Sequence, residues 1–237
     1  MSGERRLRIL AELTTAFTTR RLCEVCAEVT GVTGAGIMLM SGDVPRGSVC
    51  STDEVSALIE ELQYSLGEGP CVDAYRFDVP VLEPDLERPE TQRWVAFSPA
   101  VVAAGARAVF GFPLQVGAVR LGALNLYRSA PGPLSDDQHH DALVVADIAA
   151  QSVLMWQADA PPGRLADELE RGGDYKYVVH QAAGMVAAQL EVSVAHALIR
   201  LRAHAFANDL PLTDVAAAVV ARSLRFTADD PDVGAGW

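Results

Sequence analysis

The chain has 237 residues, half of them apolar and 21% charged, with a net charge of −12. That balance is ordinary for a globular protein and leaves room for one large domain or a medium domain with a small one. No apolar run approaches the roughly 20 residues needed to span a bilayer, and Glu12 with the threonines after it interrupts the amino-terminal basic–apolar stretch before a signal-peptide core forms, so a cytoplasmic protein with no membrane partner is expected.

Helical periodicity dominates residues 3–30, where Leu7, Leu10, Leu13, Phe17, Leu22, Val25 and Val29 recur at helical steps. Cys23 and Cys26 lie three apart on this helix, on one face with Leu22, Val25 and Val29. They are expected to be buried, ligand-free thiols that pack as small hydrophobes. The other two cysteines, Cys50 and Cys71, are 21 positions apart, whereas a four-cysteine zinc site brings two close pairs. Redox sensing by these thiols stays open beside simple burial.

The run VTGAGIMLMSGD reads as a strand and GSVCSTD as a second, leading into the helix EVSALIEELQYSLG. The passage GEGPCVDAYRFDVPVLEPDLE is punctuated by glycine and proline, with a short strand around Val79, Val81 and Leu82. ARAVFGFPLQV and VRLGALNLYRSA form a hairpin across Gly117, and residues 138–158 form another helix. Hairpins with helices at both ends indicate an α+β domain on an antiparallel sheet. ADAPPG at 158–163 is a linker signal.

Beyond it the pattern turns wholly helical. DYKYVVHQAAGMVAAQL starts at Asp174, a candidate N-cap; VSVAHALIRLRAHAFAND is capped by Ser193; PLTDVAAAVVARSLRF starts near Thr213 or Asp214. Three short helices rich in alanine make a closely packed bundle. Charge divides along the same line. Residues 1–170 hold 13 arginines and 24 acidic residues, a net of −11, whereas residues 171–226 hold 6 cations and 4 acids, a net of +2. An acidic body repels polyanions, so any nucleic-acid role belongs to the carboxy-terminal third.

Gln181-Ala182-Ala183-Gly184-Met185-Val186, then Val192-Ser193, Ala197-Leu198, Leu201-Arg202, Ala205, Asn208, Leu212 and Val215-Ala216 together resemble the ANTAR domain over roughly 172–226. That family is the output module of bacterial transcription antitermination regulators. Its pattern typically has Ala-Lys-Gly where this chain has Ala182-Ala183-Gly184, and often an arginine where Gln189 stands. The resemblance implies that hairpin RNA is a partner, with Lys176, Gly184, Gln189, Arg200, Arg202, Arg222 and Arg225 as candidate contacts. Arginines on phosphate are the chemistry such loops require, although Arg200 and Arg202 stand roughly 200° apart around a helix. A lysine restored at position 183 should strengthen binding if that helix face meets RNA.

Leu66-Gly67-Glu68-Gly69-Pro70-Cys71, and the hairpin from Phe112-Pro113-Leu114 to Gly122-Ala123-Leu124-Asn125-Leu126, resemble the GAF domain that precedes ANTAR in actinobacterial proteins. This implies small-molecule or redox sensing, and dimers through terminal helices. Glu68, Gly69 and Cys71 are the candidate ligand contacts, with a rigid helix–strand connection as the plainer reading of the same residues.

The expected protein is therefore an α+β GAF-like domain, an antiparallel sheet flanked by helices, over 1–158. A connecting segment at 159–171, an all-α three-helix ANTAR-like bundle at 172–226 and an acidic tail at 227–237 follow. Its expected role is a signal-responsive antitermination regulator, a homodimer through helices 3–30 and 138–170. No catalytic residue, metal site or cofactor is assigned, beyond an unidentified small molecule in the GAF-like part. A protein-interacting regulator with a degenerate ANTAR module is one alternative, and DNA binding is another. LTDVAAAVVARS resembles the first helix of a helix-turn-helix unit, but the acidic, glycine-bearing end supplies no recognition helix.

Overall fold

The computed structural model describes residues 11, 19–41, 44–159, 174–208 and 210–227. Most of the expected helix at 3–18, the linker and the tail beyond Thr227 lie outside the described residues. The chain divides into two compact units, Met1–Leu169 and Glu170–Trp237. No single described helix is long and apolar enough to cross a membrane.

In chain order the first unit contains α1 (Thr19–Thr30), β1 (Gly34–Ser41), β2 (Val44–Ser51), α2 (Glu54–Leu66), α3 (Pro70–Phe77), β3 (Val81–Glu83), α4 (Phe97–Ala103), β4 (Ala108–Val116), β5 (Val119–Arg128) and α5 (Asp136–Asp159). The five strands form one sheet in the order β2-β1-β5-β4-β3, and every neighbouring pair is antiparallel.

Helices cover both faces. On one, α1 and α5 bury Leu22, Val25, Val145, Ala149 and Val153 against Ile37, Leu39, Phe110, Phe112, Leu124 and Leu126. On the other, α2, α3 and α4 bury Ile59, Ala74, Phe97 and Val101 against Val109, Ala123 and Tyr127. The period-2 alternation of β4 and β5 thus sorts apolar residues onto two cores. This is why Leu121 to Tyr127 reads as a nearly continuous apolar run: every residue in it is buried.

Helix starts explain where the sequence reading falls short. Asp53 caps α2 reciprocally: Ser56 N donates to Asp53 Oδ1 at 2.7 Å and Asp53 N donates to Ser56 Oγ at 3.0 Å. Ser135 and Gln138 do the same at the head of α5, which begins at Asp136 and not at 138. The glycine–proline passage contains a helix that the sequence reading lacks. Pro70 occupies the first turn of α3, where its missing N–H has no helical partner to lose.

One expectation is corrected. Cys26 is a buried free thiol, but Cys23 is buried as half of a disulfide with Cys50, the Cα atoms 6.0 Å apart. Cys50 pairs with Ile37 across β1–β2 and shares its inward face, directly beneath the cysteine-bearing face of α1. The bond closes a separation of 27 residues, a loop length that stabilises by about 3 to 4 kcal/mol in the chain-entropy account.

The second unit contains α6 (Asp174–Leu190), α7 (Val194–Ala207) and α8 (Leu212–Val220). Asp174 is the first helical residue of α6, not the residue before it. Ser193 caps α7 as expected, accepting from His196 N at 3.2 Å. Pro211 precedes α8, so this helix starts ahead of Thr213. Ala182, Val186, Ala197, Leu198, Leu201, Ala205, Leu212, Val215, Ala216 and Val219 are buried.

Asp53 both caps α2 and accepts from Tyr127 Oη at 2.8 Å. Asp53→Ala should therefore lower unfolding stability by about 1 to 2 kcal/mol, measured by denaturant titration; Asp53→Asn, which can keep the cap, should avoid most of that loss.

Candidate ligand face of the sheet

The helix α2 ends at Gly67, which takes a left-handed conformation (φ 70°), and Gly69 (φ 128°) turns the chain into α3. The turn is held from α2: Cys71 N donates to Gln63 Oε1 at 2.7 Å. A side chain at Gly69 would strike Gln63, its Cβ only 2.6 Å from Gln63 Cγ.

Below these helices Gly36 of β1 and Gly111 of β4 are both paired with Asn125 of β5. Directly paired residues point to the same side, so the three form a row with one side chain in the middle. A Cβ at Gly36 would sit 2.6 Å from Glu60 Oε1, and one at Gly111 would run into the Pro70 carbonyl. Both glycines therefore let α2 and α3 rest on bare backbone.

This contact encloses an unusual group of polar side chains. Glu60, Gln63 and Asn125 are buried, and Cys71 is fully so. Neither Oδ1 nor Nδ2 of Asn125 has a hydrogen-bond partner among the described residues. An amide left this way forfeits about 1 to 3 kcal/mol. The Cys71 thiol is pushed well above its ordinary value, first by burial and then by the charge of Glu60, while the Gln63 amide opposes the shift. Burial, and then the hydrogen bond to Asp53, raises Tyr127 at the rim of the same face.

The expected ligand contacts separate here. Cys71 and Gly69 belong to this face, but Glu68 points elsewhere: its Oε2 accepts from Ala96 N at 3.2 Å and Phe97 N at 3.3 Å, capping α4. The loop before α4 is also tied to α3, with Trp94 Nε1 donating to Asp73 Oδ2 at 2.8 Å. Asn125, Gln63 and Glu60 were missed by the sequence reading. The available signals were an asparagine inside the apolar strand GALNLY, and a carboxylate and an amide three apart on the helix face that carries Ile59.

A family model for the GAF domain matches residues 13–153, more than half of the chain. The chain belongs to the GAF domain family. Its fold is shared with the GAF domain of an Acinetobacter phosphoenolpyruvate-protein phosphotransferase, which is 12% identical with a TM-score of 0.50 over 68% of this chain and 99% of that one. The corresponding GAF domain from Coxiella burnetii is 13% identical with a TM-score of 0.50, over 67% and 98%. No curated protein matches the chain. The GAF assignment supports a role in sensing a signal, and the carboxy-terminal helices lie outside the matched region.

In the second unit the candidate RNA contacts are placed unequally. Gly184 is exposed with open space above it, Arg222 and Arg225 are exposed, and Arg200 and Arg202 are half-buried. Gln189 is engaged internally, its Oε1 accepting from Phe226 N at 3.0 Å. Lys176 lies on α6, but its side chain is outside the described residues. The expectation for position 183 is corrected: Ala183 is fully buried, so a lysine there would place its stem in the bundle core before reaching any ligand.

The GAF domain's chemistry at high pH follows from its two free thiols. Above pH 9, the ordinary value for Cys26, the unfolded chain releases protons that buried Cys26 and Cys71 retain, so stability should fall as pH rises. A disulfide-exchange reagent at pH 8 should leave the native protein unmodified and titrate two thiols after denaturation.

Proposed function

We propose that the chain is a signal-responsive regulator of transcription antitermination, in which the GAF domain receives a small ligand and the carboxy-terminal bundle binds hairpin RNA. The observation that carries the sensing half is the buried, unpartnered amide of Asn125 beneath α2 and α3. Buried amides are ordinarily satisfied; we read this unsatisfied one as a group held for a ligand. The Asn125 amide offers both a donor and an acceptor, and Glu60 beside it disfavours an anion. The fitting ligand is a small neutral or cationic molecule with adjacent donor and acceptor groups. Its entry requires α3 to lift from Gly111, a movement the glycines at 67 and 69 permit. No step in this scheme needs catalysis. A cytoplasmic homodimer is the proposed working state, and Leu143 and Met155 of α5 are the exposed apolar side chains available to it. Leu22 and Val25 of α1 are already buried in their own domain.

The RNA half rests on the ANTAR resemblance: its apolar and alanine positions supply much of the bundle's core, while Gly184, Arg222 and Arg225 stay exposed. A protein-binding role for the bundle is the second reading. It is favoured by the internal engagement of Gln189 and by exposed apolar side chains, Ile199 at 54% and Phe206 at 66% among them.

Two measurements test the proposal. Asn125→Leu should raise stability by about 1 to 2 kcal/mol, because it removes the unsatisfied amide with little change of shape. It should also abolish the thermal shift given by any hit from a panel of small polar compounds. A destabilised variant that still responds would overturn the sensing role. For RNA, fluorescence anisotropy of the full chain against paired hairpins should show binding that weakens by about 0.7 to 0.9 log units per contacted phosphate for each tenfold rise in salt. Arg222→Ala and Arg225→Ala should each weaken binding and flatten that slope. Salt-insensitive or absent binding would leave the protein-binding reading.

A further inference from the structure

We infer that the Cys23–Cys50 disulfide is a reversible redox latch that locks α1 to the edge strand β2, on the face of the sheet opposite Asn125. Three features of its setting distinguish it from a permanent staple. Both cysteines are buried, but Cys50 lies on β2, which among the described residues has a strand neighbour on one side only. The pairing of that edge is interrupted, with register shifts between Ile37 and Met38 and again between Leu39 and Met40. Local opening of β2 can therefore present Cys50 without disturbing β4, β5 or α5. Finally, the residues around the bond form a dense apolar cluster with α5 and the sheet, so the fold survives its cleavage while α1 loses its covalent anchor.

The chemistry is thiol–disulfide exchange with a low-molecular-weight thiol. Its thiolate attacks Cys50 Sγ, the S–S bond breaks, and Cys23 leaves as a thiolate that takes up a proton. A second thiol resolves the mixed disulfide, leaving both cysteines reduced and one small-molecule disulfide formed. Two electrons are transferred, and the small-molecule disulfide reverses both steps. Cys26, one turn along α1 in the same cluster, stays out of the exchange because burial raises its thiol far above the ordinary range. Since α1 packs on both β2 and α5, reduction frees the helix layer on the side away from the proposed ligand. The latch does not depend on a ligand being bound.

The test uses the 237-residue chain in its oxidised form, equilibrated in mixtures of reduced and oxidised glutathione. Rapid alkylation with mass spectrometry counts thiols, and hydrogen exchange is followed in peptides from 19–30 and 44–51. The expected result is a reversible two-electron transition within the glutathione range. Amide exchange in α1 and β2 should rise about tenfold or more on reduction, while β4 and β5 stay protected. Cys26→Ser should keep the transition, and Cys50→Ser should show the fast-exchange pattern in every buffer. A bond that stays oxidised until the domain unfolds, reduction that leaves α1 and β2 exchange unchanged, or loss of the transition in Cys26→Ser would each overturn the proposal. If Cys50→Ser does not fold, the wild-type titration alone decides.

Discussion

At Gly36 and Gly111 the sheet presents bare backbone to α2 and α3, and the arrangement of that whole face follows from this closeness. A side chain at either position would lift a helix away. With both absent, Glu60 and the first turn of α3 come down onto the strands, Gln63 holds that turn, and Asn125 is sealed between the glycines. Dense packing of this kind normally excludes unsatisfied polar groups, since each forfeits free energy that no neighbour returns. A polar row at the tightest helix–sheet contact therefore opposes stability locally, which is where functional residues are expected to concentrate.

The opposite face obeys a different constraint. It is almost wholly apolar, built from α1, α5 and one side of every central strand. Its only covalent feature is the bond from Cys23 to Cys50 among the described residues. One five-stranded sheet thus separates a side whose apolar core encloses a polar row, proposed to face the ligand, from an apolar side that carries the proposed latch. Both meet in β1 and β5, where successive residues face alternately to the two helix layers. A shift of backbone at Gly36 necessarily displaces Ile37 and Leu39, so the two faces are mechanically joined through adjacent residues.

In the carboxy-terminal unit the alanines that carry the ANTAR resemblance are interior ones. Ala182, Ala183, Ala197, Ala205 and Ala216 are all buried, allowing three short helices to pack closely without large side chains. The resemblance there is consequently strongest as a statement about packing. The surface is a separate matter, because exposed cations, an engaged Gln189 and exposed apolar side chains occur together. The proposed RNA and protein roles differ in which of these exposed groups meets a partner.

Hydrophobic period and turn chemistry, which are local, were sufficient to read an antiparallel sheet, the β4–β5 hairpin, the flanking helices and the three-helix end. The Ser193 cap was legible for the same reason, since a cap acts within three residues of itself. Pro70 shows the limit of local reading, because proline marks a break and a first helical turn equally well. Asn125 could be seen as a polar residue in an apolar strand, but not that Gly36 and Gly111 would flank it. Glu68 stood out in sequence, yet its carboxylate caps a helix 28 residues away. The disulfide was illegible because Cys26 has the same spacing and helix face as Cys23. Only the strand register that sets Cys50 against Ile37 beneath α1 decides which of the two thiols is paired. Sequence determined the elements and most of the apolar positions that turn inward along them; the tertiary structure decided which polar groups join them and what they all meet, because those encounters bring together positions that only the packing of sheet and helices makes neighbours.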